Sequence, residues 1–144
     1  MRTTRQVGGE VGFSLIELMV VLGAIAAILG VINLGVGAIN ASRLNTTERD
    51  IRTLQSAATA WAARQAAPTF SGVSIAELKT AAIIPPNVSG NNPWGLAYGV
   101  SGTVSALTVT TDASVAAHCT TLAARLAPAA ESASCVGSVL TVTF

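Results

Sequence analysis

At 144 residues the chain has room for one domain with a modest core. Hydrophobic residues make up 51% of it and charged ones 10%, too apolar for an ordinary cytosolic domain of this length. The net charge of +1, with no basic run, argues against nucleic acid or an anionic membrane surface as the principal partner.

Residues 1–12 form a polar segment carrying Arg2, Arg5 and Glu10. Behind it the apolar content is concentrated in residues 18–39, a run of 22 whose only strongly polar side chain is Asn33. As a helix at about 1.5 Å per residue this run covers roughly 33 Å, enough to cross a bilayer core. Positive charge ahead of a lone span favours keeping that end cytoplasmic, which places the C-terminal body outside. A secretory signal peptide has an apolar core of about 7–15 residues and then a small-residue cleavage site. The run here is longer, and no Ala-x-Ala site leads directly into a polar mature start.

Glu17 interrupts the apolar pattern near the start of the span, in Phe13-Ser14-Leu15-Ile16-Glu17-Leu18-Met19. A carboxylate inside a membrane helix costs about 2.5–3.5 kcal/mol on insertion scales, so such a residue usually has a function and a partner. The bland reading is a carboxylate solvated among headgroups. Gly12-Phe13-Ser14-Leu15-Ile16-Glu17-Leu18 resembles the cleavage and methylation motif of type IV prepilins, over the first 30 or so residues. That resemblance implies a leader over residues 1–12, cut by a prepilin peptidase between Gly12 and Phe13. It also implies N-methylation of the new Phe13 amine, and a role for Glu17 in answering that positive amine during filament assembly. Loss of Arg2, Arg5 and Glu10 would leave six basic and six acidic side chains, a neutral subunit that can stack without self-repulsion.

Beyond the span the pattern changes from apolar throughout to amphipathic. Leu44, Thr47, Ile51, Leu54, Ala58 and Trp61 recur at alternating steps of three and four, one stripe of a helix. Arg43, Asn45, Glu48, Arg49, Asp50 and Arg52 read as its solvated face, and Arg64 as a cation suited to the helix C-terminus. Pro68 supplies the stop. The pattern predicts one helix over residues 13–67, with 13–40 as membrane or filament-core segment and 41–67 as an amphipathic strut. Gly30, Gly35 and Gly37 fall with Asn33 in a short window. They read either as close helix packing or as a point that unwinds in a filament. Many type IV pilins carry a proline near here, and this chain has none between residues 13 and 67.

Residues 68–144 form the predicted globular head. Ser74-Ile75-Ala76-Glu77 has the capping-box spacing and opens a short helix through about Ala82, ended by Pro85 and Pro86. Residues 87–95 read as a loop, 96–100 as a weak strand and 104–110 as a better one. Val115, Cys119, Leu122 and Leu126 mark one face of a helix from near Ser114 to Pro128. Residues 136–144 close the chain as a strand in which Leu140, Val142 and Phe144 alternate with Val139, Thr141 and Thr143. The expected fold is therefore α+β, a long N-terminal helix laid on a small antiparallel sheet.

Cys119 and Cys135 fall in the part expected outside the cytoplasm, where a pair is most simply a disulfide. A redox-active pair would want Cys-x-x-Cys, and zinc would want more ligands. Ile84-Pro85-Pro86, Asn92-Pro93-Trp94-Gly95, Val115…Cys119…Leu122 and a second cysteine before a final strand are similar to the head of type IVb pilins. The short leader and Phe13 are more typical of the type IVa class.

Catalysis finds little support. His118 is the only histidine, which leaves no nucleophile, base and orienter to assemble. Asp112 and Glu131 are isolated carboxylates, Glu77 is explained by its cap, and Gly90, Gly95, Gly99 and Gly102 read as turn residues. No enzyme activity, metal or cofactor is expected. The reading that follows is a structural subunit of a type IV pilus, polymerised for adhesion, aggregation or conjugation. Its partners would be identical subunits, the prepilin peptidase and the assembly platform. The chain would sit as a single-pass protein of the inner membrane, head in the periplasm, before joining an extracellular filament. Two alternatives share the N-terminus. One is a pseudopilin of a type II secretion system, whose major form usually carries a C-terminal calcium-binding loop of carboxylates. The other is a competence pilin that binds DNA, which would want a basic, aromatic tip where this head offers Lys79 and Arg125.

Overall fold

The computed structural model describes residues 14–85 and 89–144. A long helix α1 (Leu15–Ala62) is followed by a short helix α2 (Ile75–Thr80) and strands β1 (Tyr98–Gly102) and β2 (Leu107–Asp112). Helix α3 (Ala116–Leu126) then runs into a single 3₁₀ turn at Ala127–Ala129, and strands β3 (Ser132–Val136) and β4 (Val139–Thr143) end the chain. The four strands form one antiparallel sheet in the order β1-β2-β4-β3, joined to α3 by the Cys119–Cys135 disulfide. The fold is α+β, a long N-terminal helix packed on that sheet. By contact the chain divides into two units, Met1–Ile39 and Asn40–Phe144.

Within the second unit the six stripe residues of α1 are all buried, Thr47, Ile51 and Ala58 completely. They join one core with Leu107 and Val109 of β2, Leu140 and Val142 of β4, and Cys119, Leu122 and Leu126 of α3. Each large side chain fully buried there contributes about 1.5–3 kcal/mol. Thr47 is tolerated in that core because its hydroxyl donates to the Arg43 carbonyl at 2.9 Å. The central strands alternate as a half-buried sheet requires: Leu107, Val109 and Thr111 face the helices, while Thr108 and Thr110 face away.

Several element ends differ from the sequence expectation. Helix α1 stops at Ala62, five residues before 67, so Arg64 lies beyond its last turn and donates to the Ala81 carbonyl at 3.2 Å. In an alanine-rich run, propensity alone marks no stop before a proline. Residues 103–106 form a hairpin loop, Thr103 N–H donating to Ala106 O at 2.8 Å, which leaves Val104 exposed at the tip rather than in β2. Ser114 takes a φ of 68°, outside helical space, so α3 begins two residues later. The expected single terminal strand over 136–144 is two strands. Gly137 and Ser138 turn between them, and the positive φ of Gly137 alone fits the two-residue turn that matches strand twist.

Gly99 and Gly102, expected in turns, lie inside β1. At Gly102 a Cβ would stand 2.7 Å from the Phe70 carbonyl oxygen, so the close pass of residue 70 requires glycine. Asp50, expected on the solvated face of α1, is half-buried and accepts the Tyr98 hydroxyl at 3.0 Å. That bond ties the first strand to the helix. At the surface, Glu48 pairs with Arg52 one turn on along α1 at 3.0 Å and reaches Arg125 of α3 at 3.7 Å. The Arg125 guanidinium also donates to Asn45 Oδ1 at 2.6 Å. These exposed pairs are each worth well under about 1 kcal/mol.

Asn92 organises the loop before the sheet. Its side-chain amide donates to Thr111 Oγ1 at 3.0 Å and the Asp112 carbonyl at 2.6 Å, while its Oδ1 accepts from the N–H groups of Trp94 and Leu96 at 3.0 Å. The buried amide is thus fully satisfied. Gly95 N–H closes the Asn92-Pro93-Trp94-Gly95 turn onto the Asn92 carbonyl at 2.8 Å.

Two outcomes follow for stability. Burial first, and the charge of Asp50 second, push the Tyr98 phenol well above its ordinary range. The unfolded chain therefore loses that proton first, from a pH of about 10, and stability falls as pH rises beyond that point. Tyr98→Phe should flatten this alkaline decline, which urea midpoints measured across that range will show. Cys119 and Cys135 close a loop with a sequence separation of 16, worth about 3 kcal/mol in the chain-entropy model. Serine at either position should lower stability by about that amount, and the double variant should be no worse than either single one. Two free thiols per unfolded, unreduced chain would contradict the pairing.

Candidate functional site

The features that set this chain apart lie at the start of α1. Ser14 caps the helix: its carbonyl accepts the Leu18 N–H at 3.1 Å, the first helical bond. Glu17 stands three residues on, and its Oε2 accepts the Ser14 N–H at 3.0 Å. This is the back-reaching half of a capping box, and Ser14-x-x-Glu17 has the same spacing as Ser74-x-x-Glu77. At the second of these the other half forms, Glu77 N–H donating to Ser74 Oγ at 3.2 Å. The cap at Ser74 is legible in the sequence and the one at Ser14 is not, because Ser14 and Glu17 lie in an apolar run where the carboxylate reads first as a charge in a membrane helix.

The cap fixes where the Glu17 carboxylate points, back toward the N-terminal end of the helix, where the helix dipole also favours a negative charge. Gly12 and Phe13, the expected cleavage junction, lie outside the described residues. So does Pro86 of the Ile84-Pro85-Pro86 motif.

From residue 15 to residue 39 every described side chain is exposed. Leu15, Val31 and Leu34 each present more than 70% of their surface. The helix is long and apolar enough over this stretch to cross a membrane. Exposed apolar surface of this extent marks contact with lipid or with other protein.

Of the remaining candidates, Cys119 and Cys135 are brought together as the disulfide. His118 does not face a nucleophile. Its ring stacks on Trp94 with centroids 5.4 Å apart, and its Nδ1 lies 3.3 Å from the Ala113 carbonyl. It is a packing residue that pins the Asn92–Gly95 turn against α3. Glu131 and Asp112 stand apart, and among the described residues no group of three metal-ligating side chains converges. Asp112 has a local role, its Oδ1 accepting the Ser114 N–H at 2.8 Å where the chain turns into α3.

Comparison with protein-family models, with curated proteins and with solved structures finds no match for this chain.

Proposed function

We propose that this chain is a type IV prepilin, cut between Gly12 and Phe13 and polymerised into a surface filament through the apolar part of α1. The observation that carries the reading is a single carboxylate, Glu17, aimed toward the N-terminus of an otherwise exposed and apolar helix stretch. A helix cap alone is worth about 1 kcal/mol, less than the 2.5–3.5 kcal/mol that a carboxylate costs inside a membrane. A positive amine at Phe13 of an adjoining subunit would supply the missing compensation. Two opposite charges about 4 Å apart attract by several kcal/mol where the effective dielectric is low. The Cys119–Cys135 disulfide and the small sheet suit a head that works outside the cytoplasm.

Processing is tested first. In a host that carries a prepilin peptidase, the mature protein should begin with N-methylated Phe13, and Gly12→Val should accumulate as uncut precursor. Filaments that retain residues 1–12 by mass spectrometry would overturn the assignment.

Assembly is tested by separating the charge of Glu17 from its cap. Glu17→Gln keeps a side-chain oxygen for the Ser14 N–H and removes the charge. It should be made, cut and held in the membrane at normal levels yet give few or no filaments, as should Glu17→Val. Glu17→Asp should be intermediate, keeping the charge with a shorter reach. Wild-type piliation from Glu17→Gln, at matched membrane levels, would show that the cap is all the residue provides.

A further inference from the structure

The head contains a cleft of about 430 Å³ that the filament reading leaves unused. It lies between the amphipathic part of α1 and residues that include Ile83, Ile84 and Pro85, and its volume falls in the range of small-molecule sites. Its lining is mixed: Leu54 and Ala57 of α1 and Ile83 and Ile84 beyond α2 supply aliphatic surface, and Thr53, Ser56, Ser89 and Asn91 add polar groups. Asp50 and Tyr98 also line it, joined by their hydrogen bond.

The charge balance there is one-sided. Asp50 is half-buried, and among the described residues its carboxylate accepts one hydrogen bond, from the Tyr98 hydroxyl at 3.0 Å. Among the described residues no cation lies within ion-pair reach of it, for both ion pairs there belong to Glu48. A carboxylate has room for about four hydrogen bonds, so most of its accepting capacity is free for water or for a donor in the cleft. Tyr98 adds no second charge, since burial keeps its phenol protonated.

We propose that this cleft is a binding site for a small aliphatic or aromatic primary amine. Its ammonium group donates to Asp50 and its apolar body lies along Leu54, Ala57, Ile83 and Ile84. The ammonium supplies three donors and the missing positive charge, and the aliphatic part of the lining takes up a body that water hydrates poorly. An anion is excluded by Asp50, and a neutral apolar molecule leaves the carboxylate without its counter-charge. The site does not depend on the filament reading, and its failure would leave that reading intact.

The test uses the full chain in detergent micelles, with phenethylamine as probe and phenethyl alcohol as its neutral counterpart of similar shape. The amine should shift the Ile83 and Ile84 methyl resonances saturably, at least tenfold more tightly than the alcohol. Asp50→Asn retains an acceptor for the Tyr98 hydroxyl and should abolish the preference for the amine. Equal response to both probes, an unchanged preference in Asp50→Asn, or shifts that grow with detergent partitioning and never saturate would each overturn the site.

Discussion

A stretch of α1 carries fifteen large apolar side chains between Leu15 and Ile39, all of them exposed. Transfer of such side chains out of water is worth about 1.5–3 kcal/mol each when complete, so the stretch as a whole represents tens of kcal/mol. Against that sum the cost of carrying one carboxylate, about 2.5–3.5 kcal/mol, is minor. A surface of that size would outweigh the cost of Glu17 if the helix entered an apolar medium. What the carboxylate changes is orientation and partner choice, because the least costly place for it is at an interface or beside a positive charge. The head solves the same problem internally. There the stripe from Leu44 to Trp61 is covered by the sheet and α3, and the charged residues are left at the rim.

The parts of the fold that were legible in the sequence are those where one physical signal dominates. The stripe on α1 was legible because burial of one face imposes its period on the apolar residues. The cap at Ser74 rests on local spacing, and the pairing of Cys119 with Cys135 on the compartment expected for the chain's two cysteines. Strand β3 was not legible. Ser132-Ala133-Ser134-Cys135-Val136 is an edge strand whose inward side chains, Ala133 and Cys135, are small and only partly buried, while Val136 is exposed, so its alternation carries little hydrophobic contrast. Its place is set by the Gly137 turn and by pairing with β4, both decided outside its own residues. The same holds for Gly102, which reads as a turn glycine until the chain at Phe70 passes against it.

The polar residues of the core were the hardest to foresee. Asn92 resembles any asparagine before a proline, and nothing local distinguishes a turn residue from one that also holds Thr111 and Asp112 twenty residues away. Asp50 sits in a run of charges on α1, and only the arrival of Tyr98 from β1 takes it off the solvated face. Among candidate site residues the opposite error occurred at Glu17. Its charge was conspicuous, while the hydrogen bond that aims it depends on Ser14, a motif residue to which the sequence assigned no role of its own. Function and local structure share one side chain there, and either account alone would be incomplete.

The glycines of α1 follow from the same division of environments. Gly23, Gly30 and Gly37 are spaced by seven residues, and the same interval leads on to Leu44, Ile51 and Ala58. With Gly35 they cost about 1 kcal/mol each relative to alanine in a helix that water can reach, because the unfolded backbone is freer and well hydrated. In hydrocarbon that argument loses its force. No water is present to accept the freed N–H and C=O groups, and each unmet group costs several kcal/mol, so the helix holds whatever its glycine content. The added Cβ positions at all four glycines meet nothing within 4 Å in the isolated chain. Their smallness therefore meets no packing need inside one molecule, and its cost would fall in a medium that enforces the helix.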